Sequence, residues 1–400
     1  MAESKTRIFY VLSFLGSLQG NIVAPLFIVF GLSLGLNIAQ VGLLFGASRL
    51  SQFIFEIPTG IFADSYGRKK SILVCYFLCI FYSLFYFFSS NFYVLLAGSI
   101  ISGLSLAFIS GAFEALAVDS LGVSDQEQPR NRIFIRIGVI TTFGFIAGGF
   151  FGSGIAYLNL RYIWIVQAII AIFALILGWK WLEEKFYHEE KLNSQKMAIK
   201  EVFDKIKNPT MLIIKDKSIF FMFLVAILIT LASAFYLVSW PIILKEILAI
   251  PVYYFGIISG IAGVFFLAGS LLAERWSFKK GTINTILLSL ISMAIFYIIF
   301  SISRNIYLSL ASFVLIDFFN GGFSPLFYSF INSLIPSPQR ATILSIYSLA
   351  GGGASGMGEI IAGNLLRFFM PAIVVLLSPL LIIIASALFF IAKIKSAAKI

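Results

Sequence analysis

The chain has 400 residues, 60% of them apolar and only 12% charged, with 29 Lys and Arg against 18 Asp and Glu. A soluble domain runs nearer about 45–50% apolar and 25% charged, so lipid is the main solvent of this chain. The net charge of +11 would suit nucleic acid, but it sits in loops between apolar runs, which argues against that use.

A bilayer core of about 30 Å takes roughly 20 apolar residues as helix, and backbone in lipid must satisfy its own hydrogen bonds. In chain order, runs of that length predict helices over 8–30, 40–63, 71–89, 92–121, 131–157 and 161–182. The first run continues past any signal-peptide core, so it reads as a retained helix. A second set falls at 217–244, 251–274, 281–301, 306–333, 341–366 and 370–393. The expectation is an all-α polytopic membrane protein with 12 transmembrane helices. It divides into a six-helix bundle over 1–182, a linker over 183–216 and a second six-helix bundle over 217–400. In the linker, Ile199, Val202, Phe203 and Ile206 keep i, i+3, i+4, i+7 spacing. That predicts an amphipathic helix on the membrane surface, serving as a plain linker or as a regulatory, partner-binding helix. Pro58, Pro241 and Pro325 sit where they can bend helices, and Gly351, Gly352 and Gly353 loosen the eleventh.

Lysine and arginine set the orientation. With both termini cytoplasmic, 23 of them fall in cytoplasmic segments and four, Arg161, Lys245, Arg304 and Arg367, on the far side. The plasma (inner) membrane with both ends inside is therefore expected. Cys75 and Cys79 stand one turn apart in an apolar run and read as small apolar packing groups or as a redox or metal pair. The single His188 rules out a histidine cluster, and no metal or cofactor is expected. A shift of 210 residues lays Ala63 and Asp64 on Ala273 and Glu274, Lys69 and Lys70 on Lys279 and Lys280, Gly111 and Phe113 on Gly321 and Phe323, and Arg130 on Arg340. Six helices is an even number, so the two pseudo-symmetric halves run parallel in the membrane. Such halves are found in secondary transporters that hold substrate near the midplane. There is no P-loop pattern for direct ATP drive.

The stretch GIFADSYGRKK, residues 60–70, joins the second and third predicted helices. It resembles the signature loop of major facilitator superfamily transporters, G-x-L-A-D-[RK]-x-G-R-[RK]-[RK]. Gly60, Ala63, Asp64, Gly67, Arg68, Lys69 and Lys70 match, while Phe62 and Ser65 depart. LLAERWSFKK, from Leu271, looks like the degenerate second copy. The resemblance covers essentially the whole chain and implies the two-bundle fold, with transport by alternating access. It also implies that Asp64 meets the start of the eleventh helix, that Arg68 reaches Asp119, and that these contacts latch the outward-facing state. Gly60 is read as permitting close helix approach and Gly67 as suiting the turn. GFIAGGFFG, residues 144–152, is similar to the antiporter motif of the same family. Gly144, Gly148 and Gly152 match, and Gly149 stands where proline is expected. The other reading is close helix packing through small residues, to which Gly138 and Gly154 would add.

An ionisable residue within a span is costly and usually faces a protein interior or a water-filled cavity. By depth, and by the resemblance, Gln19, Asn21, Arg49, Asp317, Asn320 and Glu359 are the expected substrate and proton cavity. Glu56 or Glu114 is expected to pair with Arg136, as a cytoplasmic gate or as a static ion pair. Asp317, Glu359 or Glu114 would carry the proton; Asp317 has the alternative of a hydrogen-bonded polar residue that never titrates. The expected function is proton-coupled efflux of a small, partly apolar organic molecule by a monomer set in lipid. The alternatives are proton-coupled uptake of a small polar solute, a lipid flippase on the same fold, and a membrane receptor that no longer transports. No enzyme reading assembles a nucleophile, a base and an orienting group.

Overall fold

The computed structural model describes residues 2–120, 127–184, 209–336 and 339–397. His188 and the amphipathic segment expected at 199–206 lie outside them. Every regular element among the described residues is helical. The first span is α1 (Ala2–Val23), a 3-10 turn (Ala24–Leu26) and α2 (Phe27–Ser33). Pro25 makes that break, because its ring removes a ladder donor. Then come α3 (Ile38–Tyr66), α4 (Arg68–Phe88), α5 (Phe92–Ile109) and α6 (Ala112–Ser120). Helices α5 and α6 are one span broken at Gly111, whose φ of +70° is left-handed. The first half closes with α7 (Glu127–Leu158) and α8 (Tyr162–Trp181).

The second half has α9 (Lys217–Ile242), α10 (Phe255–Lys280), α11 (Thr282–Ile302), α12 (Ile306–Leu334), α13 (Arg340–Leu365) and α14 (Pro371–Ala397). Pro241 loosens the end of α9, which continues as a π-turn over Ile243–Ile247. Eleven described spans are long and apolar enough to cross a membrane. The twelfth, α13, has 26 residues, about 39 Å of helix, and is less apolar because of its run of Gly and Ser. The spans thus follow the expected ranges to within a few residues, and the fold is the all-α twelve-helix arrangement.

Contacts divide the chain into two compact units, Met1–Gln195 with Pro251–Gly260, and Lys196–Ile250 with Ile261–Ile400. Within the first, α1 packs on α7 and α8, α4 on α5 and α8, and α3 on α5. Within the second, α9 packs on α13 and α14, and α11 on α12 and α14. Gly269 and Gly321 bring α10 against α12 at Phe318 and Phe266. The same pairing therefore occurs twice. The 210-residue repeat is visible in single contacts: Gly148 of α7 abuts α1, and Gly358 of α13 abuts α9. Asn91 and Asn305 cap the fourth and tenth spans alike, each carboxamide oxygen accepting two backbone N–H groups.

Seams are made by small residues and by hydroxyls bonded to carbonyls of the next helix. Ser51 Oγ donates to Ile100 O at 2.7 Å, Thr59 Oγ1 to Ala107 O at 3.0 Å, Ser71 Oγ to Phe108 O at 2.5 Å and Ser378 Oγ to Ala232 O at 2.7 Å. Lipid supplies no hydrophobic drive for helix association, so close packing and such bonds carry it. Cys75 and Cys79 are buried free thiols beside Ser105 and Tyr82, as expected of packing groups. No group of metal-ligating side chains occurs among the described residues.

Candidate functional site

The turn between α3 and α4 is tied at three points. Gly67 takes φ +103° between the two helices, and a Cβ there would lie 2.7 Å from Glu184 Oε2. The backbone geometry demands glycine, while the Glu184 side chain fills the space beside it. The Glu184 carboxylate, just beyond α8, accepts from Arg68 N at 2.8 Å and Lys69 N at 3.1 Å. Those amides are orphan donors of the first turn of α4, where a negative charge is favoured. Lys69 answers by donating from Nζ to Trp179 O, 2.9 Å away, near the end of α8. Each helix thus supplies the missing cap of the other. Arg68 also donates from its guanidinium to Asp119 on α6, forming an ion pair.

Glu184→Ala is expected to destabilise the protein by about 0.5–2 kcal/mol, the range for a lost N-cap. The Arg68 and Lys69 amides should then exchange hydrogen faster. Unchanged melting and exchange would show that the carboxylate does not hold the helix.

Asp64 is exposed near the end of α3, as are Glu114 on α6 and Arg136 on α7. No ion pair joins Arg136 to Glu56 or Glu114 among the described residues. Glu56 instead accepts from Ser110 Oγ at 2.5 Å, at the break between α5 and α6. Gly60 does not permit helix approach: no atom lies within 4 Å of where its Cβ would be. Its neighbour Thr59 faces α5, and one step along a helix turns Gly60 away.

The glycines of α7 form a seam with α1. A Cβ at Gly144, Gly148 or Gly152 would stand 2.6, 2.5 or 2.7 Å from the carbonyl oxygens of Phe14, Leu18 and Ile22 in turn. Two side chains of α1 reach across: Ser17 Oγ donates to Thr141 O at 2.7 Å, and Asn21 Nδ2 to Phe145 O at 2.6 Å. Gly138 and Gly154, expected to widen this face, have open space instead. They lie off the four-residue row that faces α1. Gly149, in the proline position of the family pattern, meets the main chain of Gly256, and Ile257 N donates to Ser153 Oγ at 2.8 Å.

A cavity of about 340 Å³ lies inside the first unit, within the range of small-molecule sites. Asn21, Arg49 and Gln167 bring polarity to its wall, and Tyr82, Tyr86 and Trp164 bring rings. Of the expected cavity residues in this unit, Asn21 and Arg49 belong to the wall. Gln19 lies beside it: its carbonyl accepts from Gln167 Nε2 at 3.4 Å, and its side chain accepts from Cys79. The Arg49 guanidinium stands 6.0 Å from the Phe45 ring centre. Tyr86 and Trp164 stack with centroids 4.1 Å apart and planes 15° apart. Composition did not single out these two, since one ring among so many carries no signal.

In the second unit Asp317 is half-buried near the middle of α12, within electrostatic reach of Tyr236 on α9 and Tyr297 on α11. The Tyr236 hydroxyl is buried with no hydrogen-bond partner among the described residues. Asn320 accepts from Ser324 Oγ at 3.0 Å. Glu359 on α13 is fully buried and accepts from Ser355 Oγ at 3.0 Å.

The family pattern described as Major Facilitator Superfamily matches residues 9–359, and again 222–399. The chain belongs to the major facilitator superfamily and is a multi-pass membrane transporter. It is similar to the uncharacterized MFS-type transporter YxaM of Bacillus subtilis (strain 168), with 26% identity over 370 residues, 89% of this chain and 87% of that one. Over 173 residues, 43% of each chain, it is 30% identical to the quinolone resistance protein NorA of Staphylococcus aureus (strain MRSA252). Among solved structures, the nucleoside transporter NupG superposes with a TM-score of 0.75 at 15% identity, over 97% of this chain and 99% of that one. That last likeness is one of fold.

Proposed function

We propose that this transporter exports a small, partly apolar organic molecule by alternating access, in exchange for protons. It sits in the plasma membrane with both termini cytoplasmic. The observation that carries the reading is the cavity of the first unit, whose wall includes Arg49, Asn21, Gln167 and aromatic rings. Asp317 is the proton carrier of this scheme, and the Arg68–Asp119 pair belongs to the latch that opens and closes the basic end. The likeness to a quinolone resistance protein over 43% of the chain favours export. The glycine row of α7 does not bear on direction, since α1 already occupies the space beside it.

The test is reconstitution in proteoliposomes with a pH gradient of either sign, against protein-free vesicles, using a fluoroquinolone, a nucleoside and an aromatic carboxylate. An antiporter lets protons leave an acid interior while solute enters, so accumulation should require an acid interior. Accumulation only with an alkaline interior would replace export by symport. Lipid translocation without solute movement would make the protein a flippase.

A further inference from the structure

We infer that Tyr236 is the positioning residue of Asp317: its hydroxyl donates a hydrogen bond to the carboxylate once the proton has left, and lets go when the proton returns. This rests on the proton-carrier reading above and adds a partner to it. Two groups of the second unit are short of partners, and they are neighbours. Tyr236 on α9 is 7% exposed, and its hydroxyl has no hydrogen-bond partner among the described residues. Burial is the one influence on the Asp317 carboxyl of α12, and no hydrogen bond offsets it among the described residues. Each is costly as it stands, since a buried donor needs an acceptor and a carboxylate within a span needs a donor.

Phe313 and Asp317 stand four residues apart on one face of α12, and side chains on a helix lean toward its start. The Tyr236 ring packs on Phe313 with centroids 5.8 Å apart, and on Tyr297 and Phe300 at 5.0 and 5.4 Å. It is thereby held beside the turn over which Asp317 leans. Tyr297, the other tyrosine within electrostatic reach of Asp317, has its hydroxyl bonded to Ser233 of α9. That leaves Tyr236 as the donor. Pro241, five residues on, removes the N–H that would bond Leu237 O, so α9 can yield here as the contact opens and closes. The charges of the neighbouring helices lie elsewhere. α9 has one, Lys217 at its first residue, and α11 has none. α10 meets α12 at Gly269 and carries its charges later, at Glu274, Arg275, Lys279 and Lys280. On α13, Tyr347 lies against Tyr328, about three turns past Asp317, and Glu359 accepts from Ser355 Oγ. The tyrosine keeps its own proton throughout. The proton that leaves Asp317 passes to water, and the hydroxyl dipole meets the negative charge left behind.

The full chain in lipid vesicles should be titrated by infrared spectroscopy, following the carboxylic-acid C=O band that Asp317→Asn abolishes. Tyr236→Phe keeps the ring and removes the donor. The ionised form then loses its support and the proton is held to higher pH. The pH at which the band is half gone should rise by about one unit or more, tenfold in proton affinity. Driven accumulation should follow the same shift, while exchange of labelled for unlabelled solute is unchanged. 3-Fluorotyrosine in place of Tyr236, a stronger donor of nearly the same shape, should move the midpoint down, and it carries the test if Tyr236→Phe does not fold. Tyr297→Phe and Glu359→Gln should leave the midpoint nearly in place. A midpoint unmoved by Tyr236→Phe, or moved as far by either control, overturns the inference and leaves the proton-carrier reading standing. That reading fails separately, and takes the inference with it, if Asp317→Asn removes no band.

Discussion

Vesicles carrying Asp317→Asn are expected to lose pH-driven accumulation down to the level of protein-free vesicles, while still exchanging labelled for unlabelled solute. Asp317 is the one Asp, Glu, Lys or Arg of α12, about 16 Å of helix from its start. A carboxylate at that depth costs about 2.5–3.5 kcal/mol, so a purely structural reason for keeping it is weak. Its surroundings sharpen the point. Tyr236 and Tyr297 are its polar neighbours from α9 and α11, and the Tyr236 ring packs against Tyr297, Phe300 and Phe313. The buried Tyr236 hydroxyl has no hydrogen-bond partner among the described residues. Asparagine keeps the size of aspartate but cannot take up or release a proton. Substrate movement should survive the change, because the cavity wall in the first unit is untouched. If driven accumulation persists in the variant, Asp317 is not the coupling group. If exchange disappears from a folded variant as well, the residue serves the solute path instead.

Gly148→Val is expected to be the most damaging stability change in the first unit, lowering it by more than about 3 kcal/mol. Overpacking alone costs about 1–3 kcal/mol. Here the obstacle is backbone: the added Cβ would lie 2.5 Å from Leu18 O and 3.2 Å from Ile22 N, neither of which can rotate away. Separating the helices would also break the Ser17 and Asn21 bonds to α7. Each polar group stranded in an apolar seam adds about 1–3 kcal/mol. Thermal unfolding in detergent and the folded fraction on size exclusion would measure the loss. Gly138→Ala is the matched control, since its new methyl meets open space. It should be neutral or gain up to about 1 kcal/mol in helix propensity. Equal melting of the two variants would mean the seam is not as close as described.

The spans were legible because apolar runs of about 20 residues have few other uses. The weakest, α13, was harder to read because the glycines that shape it also lower its hydropathy. Charges in apolar runs announced Arg49 and Asp317 by themselves. Glycines did not sort themselves: Gly60 and Gly67 look equally purposeful in GIFADSYGRKK, yet only the second is held to glycine, by its φ. Likewise Gly144, Gly148 and Gly152 were separable from Gly138 only once α1 was seen to run along them. Glu184 went unread because its partners are backbone amides at Arg68 and Lys69, 116 and 115 residues away, and amides have no signature in a sequence. Its one clue was a carboxylate at the end of an apolar run, beside a loop of cations.

The α1–α7 seam also sets a clock on biogenesis. Asn21 and the carbonyl it binds at Phe145 are 124 residues apart. At about 5–20 residues per second the ribosome delivers the second roughly 6–25 s after the first. During that interval the first span carries Ser17, Gln19 and Asn21 without α7, in a medium that offers polar groups nothing. It must wait beside the insertion machinery, or at the water interface, until its partner helix emerges. The polarity that helps to line the finished cavity therefore delays α1, which settles only once α7, made later, has joined it.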